Sequence, residues 1–203
     1  EIAGNIFAPG EFVTKRPKAA SDLALVTHVV VDYDALSIEL VANEEDHFAK
    51  IVKGKMDFTP EFLEFSINRK TNFSVDGLYK MLRLKRAYFA TREEHAAILE
   101  QLKKFQAKTE VEFQSMNDYK GSTAMQKVQT CKTNLQYNFV LSLSIYKGTD
   151  PVTFPVEVEF EPTDGSIRCW LVSEDLAELE IKIRDEIMKG ELDKFAPFVI
   201  VQR

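Results

Sequence analysis

The fold of this chain is decided by residues 137–190, which read YNFVLSLSIYKGTDPVTFPVEVEFEPTDGSIRCWLVSEDLAELEIKIRDEIMKG. Three segments in it are rich in β-branched and aromatic residues, and turn residues separate them at 148–151 and at Asp164-Gly165. An Asp-Gly pair is a strong signal for a tight hairpin. The sequence therefore predicts three antiparallel strands, at 137–146, 153–161 and 166–172.

A helix is expected directly after these strands. Ser173 is a candidate N-cap, acidic residues fill the first turn, and Gly190 stands where a C-cap is common. Apolar residues recur between them at helical spacing. Strands in hairpins followed by a helix indicate an α+β fold, with an antiparallel sheet built from hairpins and two to three packed helices.

The segments upstream extend this pattern. Two β-branched runs meet at Asp34-Ala35 and predict another hairpin. Ser74 precedes one run of helical spacing, and Thr91 with Glu94 forms a capping box before a second. After that helix, the alternation at 110–113 predicts a short strand.

The domain organisation follows from where this periodicity begins. Residues 1–22 lack a sustained period and are expected to form an N-terminal arm. Residues 23–203 are expected to form a single α+β domain with a helical, basic insert at about 61–107. No apolar run reaches the length of a membrane span, so we expect no membrane partner.

Signals for catalysis and for metal binding are weak. There is no glycine-rich phosphate loop and no GxSxG nucleophile motif, and no histidine stands at ligand spacing from a cysteine or another histidine. The acidic run 44–47 is either a cation site or a solvated loop. We therefore expect no cofactor, no metal and no catalytic residues, although a site assembled from distant residues stays open as an alternative.

The two cysteines, Cys131 and Cys169, stand far apart in strand-like surroundings. A small secreted scaffold would carry more of them. Two buried reduced thiols in a cytoplasmic protein are expected, with a disulfide as the alternative.

Charge is distributed unevenly along the chain. The net charge is −6, yet residues 57–132 carry 13 basic and 10 acidic side chains. Aromatic residues are interleaved with the cations, as single-strand binding requires. A solvated helix face with core-facing aromatics is the alternative. The candidate nucleic-acid-binding residues are Arg69, Lys70, Lys80, Arg83, Lys85, Arg86, Tyr88 and Arg92.

The order of segments adds a resemblance. The chain contains VVVDYDALSIELVAN, then MDFTPEFLEFSI, then GSTAMQKVQ, and finally the strands and helix quoted above. From about residue 22 to the end, this order resembles the YfdQ-like family of uncharacterised phage and prophage proteins. The segment 68–89 departs from the main pattern and resembles variant forms of the family. The resemblance implies a phage or mobile-element origin and the cytoplasm of a bacterial host, and it brings no catalytic residue.

Three hypotheses for function follow. The first is a non-catalytic accessory protein that binds single-stranded nucleic acid in phage DNA metabolism. The second is an inhibitor of a host defence protein, acting by protein–protein contact or through an acidic surface that imitates DNA. The third is an enzyme acting on a nucleotide. A homo-oligomer is also expected, because strands built from hairpins leave edges that need covering.

Overall fold

The computed structural model describes residues 1–15, 26–45, 47, 49–69, 71–115, 137–163 and 166–203. It confirms the α+β fold, with one mixed and one antiparallel sheet. The chain divides into two compact units of interleaved segments. Unit 1 comprises Glu1–Thr59, Ser144–Asp150 and Glu178–Arg203, and unit 2 comprises Pro60–Leu143 and Pro151–Ala177. The single domain expected over 23–203 stays a prediction.

Unit 1 contains the mixed sheet. Its strands are β1 (Ile2–Asn5), β2 (Thr27–Asp32), β3 (Ser37–Ala42), β4 (Lys50–Lys55) and β9 (Val199–Gln202), in the order β1-β4-β3-β2-β9. The predicted hairpin is confirmed as the antiparallel β2–β3 pair. The two edge strands β1 and β9 are parallel to their neighbours.

Residues 1–15, expected as part of an arm, have regular structure. Ile2–Asn5 pair with β4, and helix α1 (Ala8–Thr14) follows directly. Proline in the first turn of α1 supports the helix start, because its missing N–H has no partner there in any case. The core of unit 1 is formed by the alternate residues of β2 and β3 that are buried, namely Val29, Val31, Ile38 and Leu40.

Unit 2 contains the antiparallel sheet and most of the helices. Its elements are α2 (Pro60–Phe65), β5 (Phe73–Ser74), α3 (Val75–Leu84), α4 (Arg92–Ser115), β6 (Asn138–Leu143), β7 (Val152–Thr163) and β8 (Ser166–Val172). The sheet order is β5-β8-β7-β6. The three predicted strands are thus confirmed as β6, β7 and β8. The Asp164-Gly165 turn lies outside the described residues.

The two faces of the unit 2 sheet differ in burial. One face carries buried residues such as Leu141, Phe154 and Phe160, and Phe105 of α4 packs on Phe160 with ring centroids 4.4 Å apart. The opposite face carries exposed residues, among them three alternating glutamates of β7: Glu157, Glu159 and Glu161.

Two expectations about helices were wrong. The strand predicted at 110–113 is the last part of α4, which runs on to Ser115. Gly190 is not a C-cap, because α5 (Glu174–Asp193) continues through it. Together the described residues form five α-helices, against the two to three expected.

Candidate nucleic-acid interface

The candidate residues all belong to unit 2, and Lys70 lies outside the described residues. Arg69 follows α2, Lys80 and Arg83 lie in α3, Lys85 follows α3, Arg86 and Tyr88 form a short 3-10 turn, and Arg92 is the first residue of α4. The basic stretch is thus spread over α3, the turn after it and the start of α4. The helical insert expected at about 61–107 covers α3, the 3-10 turn and the first part of α4, which runs on to Ser115.

Helix α3 presents one face to the core and another to solvent. Its start is fixed by Ser74, whose Oγ accepts a hydrogen bond from the Gly77 backbone N at 3.0 Å. Val75, Leu78 and Leu82 are buried. The spacing of a helix then places Asp76, Tyr79, Lys80 and Arg83 together on the other side. There, Lys80 Nζ lies 2.6 Å from Asp76 Oδ2.

Helix α4 begins with the predicted capping box. The Glu94 backbone N donates to Thr91 Oγ1 at 3.1 Å, and the Thr91 hydroxyl donates to Glu94 Oε2 at 3.2 Å. The capping box is therefore confirmed, although the carboxylate bonds the hydroxyl in place of the backbone N–H of the cap residue.

His95, in the first turn of α4, is buried at 8% exposure. Its Nε2 lies 3.0 Å from the carbonyl oxygen of Leu82. A carbonyl only accepts, so Nε2 carries the proton. The ring also meets Phe89 edge to face, with centroids 4.7 Å apart. His95 therefore joins α4 to the end of α3, and that contact sets the geometry between the two helices.

Lys85 is held inside unit 2 by a carboxylate and a ring. Its ammonium forms an ion pair with Glu64 of α2, and only 19% of its side chain is exposed. It also lies 5.7 Å from the ring centroid of Tyr88. Both contacts compete with a phosphate for the Lys85 ammonium, so we expect Lys85 to contribute little to phosphate binding.

Two of the aromatic residues near the cations belong to the packing of unit 2. Phe89 is buried and stacks on Phe139 with centroids 5.1 Å apart. Tyr88 is half-buried and meets Phe65 edge to face at 6.0 Å. These rings favour the interpretation in which aromatics of the basic stretch close the core.

Tyr79 of α3 and Lys103 of α4 form a second contact between these two helices. Lys103 Nζ, in α4, lies 5.3 Å from the centroid of the half-buried Tyr79 ring in α3. Sequence analysis missed Lys103, because it follows the basic stretch by eleven residues in a helix of mixed charge. Its helical position relative to Arg92, i and i+11, was the signal that could have shown it on the same side of α4.

The remaining cations are exposed. In the described part of the chain, Arg83, Arg86 and Arg92 form no ion pair, and all three are exposed. Lys103 is exposed as well. Exposed cations of α3, the 3-10 turn and α4 thus lie in unit 2, and Lys103 of α4 reaches the face of α3 that carries Tyr79 and Arg83.

The other candidate groups provide no catalytic constellation. Burial raises the pKa of the Cys169 thiol to about 12, so the thiol is a poor nucleophile at neutral pH. His28 and Glu44 form an ion pair in unit 1. Among the described residues, no group of three or more histidine, cysteine or acidic side chains could hold a metal ion.

Two further expectations concern cysteine and the membrane. Cys169 is a buried free thiol, as expected, whereas Cys131 lies outside the described residues. In the part of the chain that the structure describes, no helix has both the length and the apolar character that crossing a membrane requires.

No family model, curated protein or solved structure matches this chain. The resemblance to the YfdQ-like family stays a prediction. The function must therefore be argued from the site alone.

Proposed function

We propose that this chain is a non-catalytic protein that binds single-stranded nucleic acid through unit 2. The binding region, which we call the basic surface, comprises Arg69, Tyr79, Lys80, Arg83, Arg86, Arg92 and Lys103. The observation that carries the proposal is the position of Lys103 Nζ, 5.3 Å from the Tyr79 ring centroid. It brings a cation of α4 to the face of α3 that carries Arg83.

The cations suit a phosphate backbone. Arg83, Arg86 and Arg92 are exposed and have no ion pair within the described residues, so a phosphate does not have to displace a carboxylate to reach them. Guanidinium groups bind phosphates in a bidentate manner, which favours arginine at such positions. Phosphate contacts of this kind supply most of the affinity in sequence-independent binding.

Tyr79 provides the aromatic element that distinguishes single strands from duplexes. Bases in a duplex are stacked on one another, whereas those of a single strand can stack on an exposed ring. Lys103 now covers the Tyr79 ring, and its long side chain is exposed. A phosphate that draws Lys103 aside would uncover the ring for a base.

The biological setting is a separate part of the proposal. A role in phage DNA metabolism, in the cytoplasm of a bacterial host, rests on the resemblance to the YfdQ-like family. The binding chemistry of the basic surface does not depend on that setting.

The direct test is fluorescence anisotropy with a labelled oligonucleotide at low salt, followed by a salt series. Each lost phosphate contact reduces the slope of log affinity against log salt by about 0.7 for a single strand. We expect Arg83→Glu and Lys103→Glu each to weaken binding by about tenfold or more and to flatten that slope.

The matched control is Lys189→Glu. Lys189 is an exposed cation of unit 1, so the variant has the same change in net charge. It should bind like the parent chain at moderate salt. Absence of binding by the parent at low salt would refute the proposal, as would equal losses in all three variants.

A second candidate function is favoured by the exposed face of the unit 2 sheet. Glu157, Glu159 and Glu161 alternate along β7, and carboxylates two residues apart on a strand are about 6.8 Å apart. That separation is comparable with the distance between neighbouring phosphates of a nucleic-acid strand. Trp170 lies beside them and donates from Nε1 to Glu159 Oε2 at 2.8 Å.

This face suits the cationic nucleic-acid groove of another protein, such as a host defence factor. A pull-down from host lysate should recover a nucleic-acid-binding protein that an oligonucleotide displaces. Glu157→Lys with Glu161→Lys should abolish the capture, while the control Glu93→Lys with Glu178→Lys retains it. If Glu157→Lys with Glu161→Lys captured as much of the partner as the parent chain does, this candidate would be contradicted.

A further inference from the structure

The edge strand β9 has an unusual surface for an isolated chain. It pairs with β2 on one side, and no strand among the described residues pairs with its other side. Three consecutive β-branched residues, Val199, Ile200 and Val201, are 64%, 41% and 46% exposed. Natural proteins usually protect such an edge with charge, proline or a covering element, because its free backbone groups pair readily with another strand.

The register shows which backbone groups of β9 are free. Val31 lies opposite Gln202, and the Arg203 backbone N donates to the Val31 carbonyl oxygen at 2.9 Å. In a parallel pair the hydrogen-bonded residues alternate along the strand. The backbone N–H and C=O groups of Val201 and the N–H of Arg203 therefore point towards β2. The N–H and C=O groups of Ile200 and Gln202 point away from the sheet.

The side chains of β9 permit pairing with an identical strand. No residue of β9 is charged, so a second copy would place no like charges opposite each other. At the other edge of the sheet, β1 is also uncharged, but the residue before it is acidic. Glu1, which precedes β1, forms an ion pair with Lys53 of β4 at 3.2 Å.

The apolar character of β9 continues onto the sheet beside it. Val199 and Val201 lie opposite His28 and Val30, so they share the face of the sheet on which Val30 is half-buried. Val41 and Ile51 lie further along the row of Val199, beyond His28, and both are half-buried. Val30 lies opposite Glu39 of β3, so the apolar part of this face at the open edge is Val199, Val201 and Val30.

We propose that β9 pairs antiparallel with β9 of a second copy, about a two-fold axis through Val201. Ile200 of each copy then lies opposite Gln202 of the other, and each such pair exchanges two main-chain hydrogen bonds. Val201 faces its own counterpart at the axis. The two five-stranded sheets join into one, and Val199, Val201 and Val30 of both copies form one apolar patch at the junction. This isologous contact is closed, so it yields a dimer.

The experiment is light scattering after size exclusion, on the full chain over a wide concentration range. The parent should approach twice the 23.2 kDa of one chain as concentration rises. Val201→Lys and Val201→Glu should each remain monomeric, because each places two like charges directly opposite each other at the axis. An equal mixture of the two variants should recover the dimer, because the charges are then opposite in sign.

Three further variants separate strand pairing from folding. Gln202→Pro removes an outward N–H and no bond to β2, so it should abolish the dimer and leave the thermal stability of the monomer unchanged. Gln202→Ala and Ile2→Lys, at the same position and at the opposite edge, should dimerise like the parent. A monomeric parent at every concentration would overturn the proposal. So would dimers of both Val201 variants, or a mixture that stays monomeric.

Discussion

The side chain of Asn68 makes two hydrogen bonds to the backbone of Ser173, 105 residues further along the chain. Its Nδ2 donates to the Ser173 carbonyl oxygen at 2.7 Å, and the Ser173 backbone N donates to its Oδ1 at 2.9 Å. The Asn68 backbone N also donates to the Leu171 carbonyl oxygen. A single amide thus ties the segment after α2 to the end of β8, where α5 begins.

We expect Asn68→Ala to lower the free energy of unfolding by about 2 kcal/mol, because two partly buried hydrogen bonds are lost together. Asn68 has a φ of 56°, which favours asparagine or glycine. Asn68→Gly is therefore the control that keeps the positive φ and removes both bonds, with a further loss of up to about 1 kcal/mol from the added freedom of glycine in the unfolded chain. Urea unfolding measures both, and equal stability of parent and Asn68→Gly would show that the two bonds contribute nothing.

The position of Gly190 predicts a stabilising substitution. It lies in the interior of α5, and a Cβ built there meets no atom within 4 Å. Glycine in a helix interior costs about 0.5–1 kcal/mol relative to alanine. Gly190→Ala should raise the free energy of unfolding by about that amount. Thermal or urea unfolding would show a loss instead if the helix were not continuous there.

Gly10, in α1, predicts the opposite outcome for the same substitution. A Cβ there would lie 2.2 Å from Glu191 Oε2. Glu191 is 2% exposed, and its other oxygen pairs with Lys194 at 2.5 Å, so the carboxylate cannot move without disturbing that pair. We expect Gly10→Ala to destabilise by about 1–3 kcal/mol. Glu191→Ala should make Gly10→Ala less costly, and a double-mutant cycle without such coupling would contradict this account.

Local signals in the sequence were enough to place the helix starts of unit 2. Ser74 and Thr91 each bond a backbone N–H three residues later, and such bonds depend only on neighbouring residues. The strands β1 and β9 could not be predicted in this way. Their pairing with β4 and β2 joins residues far apart in sequence, and four exposed residues carry no alternation of polarity.

The predictions that were wrong or incomplete also concern features that local sequence patterns do not determine. Alternation at 110–113 resembled a strand, but no glycine or proline stands between Arg92 and Ser115 to end the helix. At the candidate interface, the cations could be predicted from the sequence, but the side chains that contact them could not. The ion pair of Lys85 with Glu64 and the approach of Lys103 to Tyr79 depend on how helices pack.

Cys169 predicts a pH dependence of stability. Burial raises the pKa of its thiol from the ordinary 9.0 to about 12, and its Sγ lies 3.4 Å from the Phe73 carbonyl oxygen. The raised pKa means that this contribution to stability is complete below pH 9 and is lost as the pH rises towards 12.

Between pH 8 and pH 10, the parent should therefore lose about 1.4 kcal/mol more of its unfolding free energy than Cys169→Ala does. The cavity left by the alanine lowers stability equally at both pH values, so the difference isolates the thiol. Parallel pH profiles for the two chains would show that the thiol has the same pKa in the folded and the unfolded state, which would contradict the prediction.

Photo-cross-linking shows directly whether single-stranded nucleic acid lies on the basic surface of unit 2. A uracil-rich oligonucleotide carrying 5-iodouracil is irradiated with the full chain, and the cross-linked peptides are identified by mass spectrometry. We expect cross-links at Tyr79 and in the segments that hold Arg83 and Lys103, with fewer in Lys103→Glu. Absence of cross-links, or cross-links confined to unit 1, would contradict the proposed binding.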